Sequence, residues 1–426
     1  HSQYTLKWFV IVINAGSRQT TALLYQWNLD LEGDCVREME RLYHPNISLA
    51  SFEGNLTGLT NFMQGLLTEI ERWDLSSSHI PIYFGATAGM RALNESNPDQ
   101  ADEILKLIKR VIEDSPFKEG KVEILSGEEE AHYGWLTVNL LVGAIPESQS
   151  SECGMESIQT SGAMDMGGGS LEVAFESGED SDERLRLFNR TFLIRSDMSN
   201  CYGINWATRR FLALNVFRHY QGGNNLSGAL IPNPCANEHC QGFQDSNPLG
   251  TNKMDIFGKN GFSCTQFRDR GFSAVLDPIP DNFTFQFDGF YDKQKCNQVL
   301  DPFTNYSACQ EIFEQNCLSH PLEFPLSSHT FYAMAAFYYD FRRSLGLEES
   351  SDYATAMDKI REVCQEPPSS KTCSQTDCFK VSFIMKILTD GLHFSQSTFG
   401  NLKFVNQIDK IGVSWTHGYA CIHSGR

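Results

Sequence analysis

A turn built from an Asx residue, glycine and serine occurs twice in this chain, each time between two apolar segments. No other feature constrains the fold as much. The first copy runs Phe9-Val10-Ile11-Val12-Ile13-Asn14-Ala15-Gly16-Ser17 and leads into a predicted strand from Thr20 to Trp27. The second runs Ala163-Met164-Asp165-Met166-Gly167-Gly168-Gly169-Ser170 and leads into Leu171-Glu172-Val173-Ala174-Phe175. Glycines let backbone N–H groups converge without Cβ obstruction, which is how a loop grips a phosphate. Asp165 at a strand end can hold a divalent cation, and Ser170 adds a hydroxyl donor. A lone Gly-Gly-Gly reads more simply as a flexible hairpin turn. Two related turns this far apart in the sequence suggest a duplicated architecture, in which each half supplies one phosphate loop to a shared cleft.

The bulk properties narrow the partners. With 426 residues the chain has room for two domains. Its formal charge is −19, from 34 basic and 53 acidic residues, and no long basic run occurs. This charge balance argues against nucleic acid and anionic membrane surfaces as partners. An anionic substrate has to be held by backbone amides, a few Arg or Lys, and a metal ion. No apolar run reaches the length of about eighteen residues that a membrane-spanning helix needs.

Of thirteen cysteines, all but Cys35 and Cys153 follow residue 200. Cys235, Cys240, Cys264, Cys296, Cys309 and Cys317 lie among Gly, Pro and Asn, the pattern of a disulfide-stapled subdomain. A zinc site from Cys235, His239, Cys240 and Cys264 fits no regular Cys-x-x-Cys spacing. Seven asparagines head N-glycosylation sequons: Asn46, Asn55, Asn94, Asn189, Asn225, Asn282 and Asn305. Cysteines and sequons together point to a secreted, surface or lumenal protein. His1-Ser2-Gln3 is not a signal peptide, so a removed leader or an excised ectodomain is expected.

Along the chain, strand, turn and helix alternate. Apolar spacing predicts helices over Leu56–Ile70, Ala101–Ile112 and Ala131–Leu141, and strands over Ile80–Phe84 and Val122–Leu125. A Cys-rich insertion runs from about 221 to 325. Apolar helices are expected over Thr330–Arg343 and Phe379–Leu388. Chemistry-bearing residues fall at strand C-terminal ends, where open α/β sheets bind ligands. Thr87 and Arg91 follow one such end: a threonine hydroxyl can orient a water and an arginine can neutralise a phosphate oxygen. The plain alternative is a turn with a surface arginine. Glu128-Glu129-Glu130 opens a predicted helix. Three acids there suit the helix dipole while facing solvent, or one of them serves as general base for water. Helix phase does not say which would point inward. Trp135 and Phe337-Tyr338-Tyr339 suit a core, though an aromatic beside a cleft can also stack on a nucleobase.

Taken together these segments resemble the apyrase-conserved regions of the ecto-nucleoside triphosphate diphosphohydrolases. Asn14-Ala15-Gly16-Ser17 resembles the first region, Gly85-Ala86-Thr87-Ala88-Gly89-Met90-Arg91 the second and Gly127-Glu128-Glu129-Glu130-Ala131-His132-Tyr133-Gly134-Trp135 the third. Asp165-Met166-Gly167-Gly168 resembles the fourth, and Gly412-Val413-Ser414-Trp415 with Gly418-Tyr419 the fifth. The resemblance implies an α/β fold of two RNase H-like (actin/hexokinase-like) lobes with a cleft between them and a disulfide-rich insertion in the second lobe. It implies lobes at 1–127 plus 405–426 and at 128–404. It implies hydrolysis of nucleoside di- and triphosphates to monophosphate with Ca2+ or Mg2+. By position it makes Glu130 the catalytic base, with Thr87 orienting the water and Arg91 beside them. The phosphate and nucleotide contacts would come from Ala15, Gly16, Ser17, Arg18, Gly167, Gly168, Gly169, Ser170 and Glu172, with Tyr339 stacking on the base. Asp165 and Asn14 would flank the metal, and Trp415 would be structural or close to it. The family's cysteine order implies disulfides Cys235–Cys264, Cys240–Cys296, Cys309–Cys317 and Cys364–Cys378, with Cys201 unpaired.

The chain departs from the family pattern at several of these positions. Asn14 stands where the family has Asp, which removes a negative charge beside the cation. Arg18 and Gln19 stand where Ser and His are usual, and Asp377 where a second base-stacking Tyr is usual. Glu172 replaces Gln, and a carboxylate beside a phosphate is unfavourable unless a metal lies between them. Gly-Gly-Gly-Ser-x-Glu nevertheless also resembles the loop of exopolyphosphatases in the same superfamily. Two readings follow: an active secreted or ectodomain nucleotidase, or a catalytically weakened nucleotide-binding or structural glycoprotein on the same scaffold. Hydrolysis of inorganic polyphosphate or another anhydride is a third.

Overall fold

A computed structural model describes residues 7–28, 36–73, 80–145, 159–178, 183–187, 190–237, 250–258, 263–318, 325–365 and 374–423. The chain divides into two compact units. One comprises 1–168, 172–198 and 405–426, and the other 169–171 and 199–404.

The first unit opens with β1 (Lys7–Ala15), β2 (Gln19–Asn28) and β3 (Arg37–Pro45). It continues through α1 (Leu56–Glu71), β4 (Pro81–Ala86), α2 (Ala88–Ser96), α3 (Pro98–Glu113) and β5 (Lys118–Ile124). These strands form one sheet in the order β3-β2-β1-β4-β5. β1, β2 and β3 pair antiparallel, while β1–β4 and β4–β5 are parallel. Val10 to Ile13 are all buried, so β1 reads as a continuous apolar run rather than an alternating one. One core cluster joins Ile11, Ile13, Ile82 and Phe84 of the sheet to Leu59, Met63 and Leu66 of α1 and to Ile104, Ile108 and Ile112 of α3. The three α3 residues recur at the helical period, and Asn97 caps that helix by accepting from Gln100 N, with Pro98 in its first turn.

The same unit goes on through α4 (Gly127–Leu141), β6 (Gly162–Met166), all but the first two residues of β7 (Ser170–Glu176), β8 (Glu183–Leu187) and all but the last two of β9 (Arg190–Asn200), the strands lying in the order β6-β7-β9-β8. The C-terminal helix Trp415–His423 returns to it. Tyr25 OH on β2 bonds to Thr416 Oγ1, and the Thr137 hydroxyl of α4 donates to Ser414 O and accepts from Gly418 N.

In the second unit, α5 (Ile204–Gln221) is buried on most sides, which explains why its sequence lacks a polar stripe. Residues Phe331–Ala335 form a strand, paired in parallel with Leu402–Phe404, where a continuous helix over Thr330–Arg343 was expected. The first four of these five residues are buried, and a short apolar run of that kind has no periodicity to separate strand from helix. Ala335, at φ 57°, turns the chain out of the strand, and a π-helical turn Phe337–Arg342 follows.

The disulfides correct the expected pairing in part. Cys309–Cys317 and Cys364–Cys378 are present. Cys235–Cys264 and Cys240–Cys296 are replaced by Cys201–Cys264 and Cys235–Cys296, so Cys201 is paired rather than free. Local geometry accounts for this. Cys201 takes a left-handed conformation, φ 72°, at the corner between β9 and α5. Cys264 lies in a short 3-10 turn against that helix. The parallel strands Leu230–Asn233 and Gln286–Gly289 then bring Cys235 beside the helix that carries Cys296, with Asp292 N donating to Pro234 O and Tyr291 N to Ala236 O. Cys235 and Cys264 are thereby removed from any zinc site. Cys421 is also disulfide-bonded, and Cys35, Cys153, Cys240, Cys373 and Asn189 lie outside the described residues.

Candidate active site

Parallel pairing of β1 with β4 sets Asn14 beside Gly85 and Ala15 beside Ala86, so the first glycine turn and the second motif leave the sheet together. Gly16 N closes the turn on Gln19 O at 2.9 Å, and Thr87 N donates to Ala15 O at 3.2 Å. Thr87 caps α2 through its carbonyl, which accepts from Met90 N and Arg91 N. Its buried hydroxyl makes no capping bond and is left for other work. A Cβ on Gly89 would lie 3.1 Å from Ser17 Cα, so glycine lets α2 start this close without pushing on the turn.

The three acids of α4 separate by environment. Glu128 is exposed. Glu129 forms a capping box with Ser126: its carboxylate accepts from Ser126 N while Ser126 Oγ accepts from Glu129 N. Glu130 points inward, with 9% of its surface exposed, which answers what helix phase left open. Its Oε2 accepts from Arg91 Nη1 at 2.8 Å, and Nη1 also donates to Leu125 O at 3.1 Å. Glu130 Oε1 makes no hydrogen bond among the described residues. Arg91 Nη2 donates to Glu172 Oε1 at 3.1 Å, and Glu172 is almost fully buried. Burial opposes the charge on Arg91, but the two carboxylates outweigh it and hold the guanidinium firmly protonated.

Asp165, at the end of β6, has a strongly perturbed carboxyl. Desolvation, and then the negative charge of Glu130, push it up to about 7. Asn14 Oδ1 is a buried acceptor with no hydrogen-bond partner among the described residues. A desolvated carboxyl and an orphaned amide oxygen are hard donors of the kind that Ca2+ and Mg2+ take. Among the described residues no group of three or more His, Cys, Asp or Glu forms a self-sufficient metal centre. A cation here would complete its shell with water and phosphate oxygens, as Mg2+ commonly does.

The remaining expected residues fall in other surroundings. Ser17 and Arg18 are half-buried in the first turn. Gly167 and Gly168 follow β6 in the first unit, while Gly169 and buried Ser170 belong to the second. Tyr339, also in the second unit, is 51% exposed on its π-helical turn and packs edge-on against Tyr338 at 5.0 Å. Asp377 is exposed at the start of the helix Asp377–Lys386.

Two residues support the strand-to-helix junctions: Trp415, expected to be structural or close to the metal, and Met198, which nothing in the sequence singled out. The indole of Trp415 lies where a side chain on Gly85 would be, so it buttresses the end of β4 from below. Met198 does the same for Gly127 at the start of α4. Conspicuous glycines at both strand-to-helix junctions were the available signal, since a glycine inside a motif often marks a close approach.

The fold is shared with a solved nucleoside triphosphate hydrolase from Neospora caninum. That match has TM-score 0.61 and 12% identity, and covers 97% of this chain and 92% of that one. The α/β architecture is thus the actin/hexokinase-like one that the sequence suggested. The chain belongs to the GDA1/CD39 (nucleoside phosphatase) family, which it matches over residues 3–425. Its relatives include ectonucleoside triphosphate diphosphohydrolase 3 of Mus musculus, 26% identical over 430 residues, covering 96% of this chain and 77% of the relative. Ectonucleoside triphosphate diphosphohydrolase 1 of Bos taurus is 28% identical over 436 residues, covering 96% and 80%.

Proposed function

We propose that the protein is a divalent-cation-dependent nucleotidase that hydrolyses nucleoside tri- or diphosphates to monophosphate and phosphate, acting outside the cell or in a lumen. The carrying observation is Glu130: buried, fixed through Oε2, and free at Oε1 to take a proton from water. Thr87 would orient that water with its uncommitted hydroxyl. Backbone amides of Ala15, Gly16, Gly167, Gly168 and Gly169, with the side chains of Ser17, Arg18 and Ser170, would hold the phosphates. Asp165 and Asn14 would hold Ca2+ or Mg2+, which when bound offsets phosphate charge. Tyr339 would stack on the base. This reading keeps the lobes as 1–127 with 405–426 and 128–404. They follow the duplicated motif pattern and are a different division from the compact units.

The location is supported by the disulfides and by six sequon asparagines that are exposed: Asn46, Asn55, Asn94, Asn225, Asn282 and Asn305. These would carry N-glycans. Among the described residues no helix is long and apolar enough to cross a membrane.

Phosphate release from ATP, ADP and pyrophosphate, with Ca2+ or Mg2+, tests the reading. Wild type should exceed Glu130→Gln by at least about a hundredfold on a nucleotide. A wild type no faster than that variant rejects it in favour of binding without turnover, a reading that the loss of charge at Asn14 favours. In that case Asn14→Asp should restore hydrolysis. Faster cleavage of pyrophosphate than of either nucleotide would instead mark an inorganic anhydride as substrate.

A further inference from the structure

Arg91 and Glu172 are both deeply enclosed and bond to each other. The Arg91 side chain is 10% exposed and that of Glu172 only 2%. Both ends of the guanidinium fork are engaged, Nη1 by Glu130 and Leu125 O and Nη2 by Glu172. A planar, always-charged fork held at two points has a fixed orientation, and it passes that orientation to whatever else it binds. An acid at position 172 also no longer confronts the substrate, because its charge is met by the arginine.

We infer that Glu172 is a positioning residue: it anchors Arg91, and Arg91 in turn fixes Glu130 by Oε2 so that Oε1 faces the attacking water. This rests on the nucleotidase reading, and it gives Arg91 and Glu172 a role other than contact with phosphate. With Glu172 removed, Nη2 loses a charged acceptor in a buried site, the hold on the fork weakens, and the Glu130 carboxylate loses part of its fixed orientation. Substrate affinity does not pass through this chain of contacts, so the effect falls on kcat.

The test is steady-state hydrolysis of ATP under saturating Mg2+. Glu172→Leu should lower kcat about 10- to 100-fold and leave KM within about threefold. Glu172→Gln keeps an oxygen acceptor for Nη2 and should recover most of the loss. Arg91→Leu should be at least as slow as Glu172→Leu, and the double variant no slower than Arg91→Leu alone, because both act through one contact. A Glu172→Leu enzyme with wild-type kcat overturns the inference. So does a raised KM at unchanged kcat, which would mean direct contact with nucleotide, or an additive double variant. Should Glu172→Leu fail to fold, Glu172→Gln decides: kcat as low as that of Arg91→Leu overturns the inference, and recovery supports it. A wild type no faster than Glu130→Gln defeats the nucleotidase reading and the inference together. A fast wild type with an unaffected Glu172→Leu defeats only the inference.

Discussion

The hydroxyls of Tyr25 and Thr416 lie 2.8 Å apart, both buried, and tie β2 to the C-terminal helix across 391 residues of chain. Burial holds the phenol far above its ordinary pKa, so it stays neutral. Tyr25→Phe removes the bond but preserves the ring. Thr416 Oγ1 keeps a second neighbour, Ser414 Oγ at 3.2 Å, so it is not stranded. The expected loss is about 1 kcal/mol in urea unfolding. A loss above about 3 kcal/mol would mean that the ring, too, depends on this hydroxyl for its placement.

His417, the next residue, packs edge-on against Tyr25 at 5.6 Å. It is buried, and its Nδ1 has no hydrogen-bond partner among the described residues. Desolvation pushes it down to about 4, below the 6.5 of an exposed histidine. Between those values the unfolded chain binds the proton and the folded one does not, so stability falls as pH drops from about 6.5 toward 4. From pH 7 to pH 5 this group should remove about 2 kcal/mol. Unfolding free energies of wild type and His417→Gln at both pH values check this. The variant should lack that part of the slope, and equal slopes would refute the assignment.

The disulfide network can be read chemically. Peptide mapping without reduction should join the segment containing Cys201 to that containing Cys264, and Cys235 to Cys296. Recovery of a Cys235–Cys264 peptide would contradict the fold around α5. The Cys201–Cys264 bridge closes a separation of 63 residues. On loop entropy alone, a Cys201→Ser and Cys264→Ser double variant should lose about 4 kcal/mol.

The site was legible wherever the sequence carries both a strand end and an unusual residue. Asn14, Thr87 and Glu130 lie at or after the ends of β1, β4 and β5, whose parallel pairing gathers those ends at one edge of a sheet, while Asp165 lies near the end of β6 in a second sheet. What could not be read is lateral contact. Nothing in the spacing of residues 91, 130 and 172 says that one arginine spans two acids, because that depends on the tilt of α2 against β7. The pairing of Cys201 was hidden for the same reason, since it follows from a left-handed corner that no side chain announces. The strand Phe331–Ala335 was missed because a fully apolar segment has no face.

Asp165 offers a test of the cation site that needs no turnover. Its carboxyl, raised to about 7 by burial and by Glu130, takes up a proton on folding at pH values between about 4 and 7. That contribution is present in full below the unfolded value of 3.8 and is lost as pH rises through 7. Metal-free protein should therefore pay roughly 2–3 kcal/mol at this residue between pH 5 and pH 7.5. His417 acts in the opposite direction over part of that window, so the informative quantity is the difference between wild type and Asp165→Asn, not either slope alone. A divalent cation meeting the ionised carboxylate should remove the loss. At pH 7.5, millimolar Ca2+ or Mg2+ should raise the Tm of wild type and leave Asp165→Asn nearly unmoved, with a smaller gain in Asn14→Ala than in wild type. If the cation stabilises wild type and Asp165→Asn equally, it binds elsewhere, and Asp165 is a buried acid rather than a ligand.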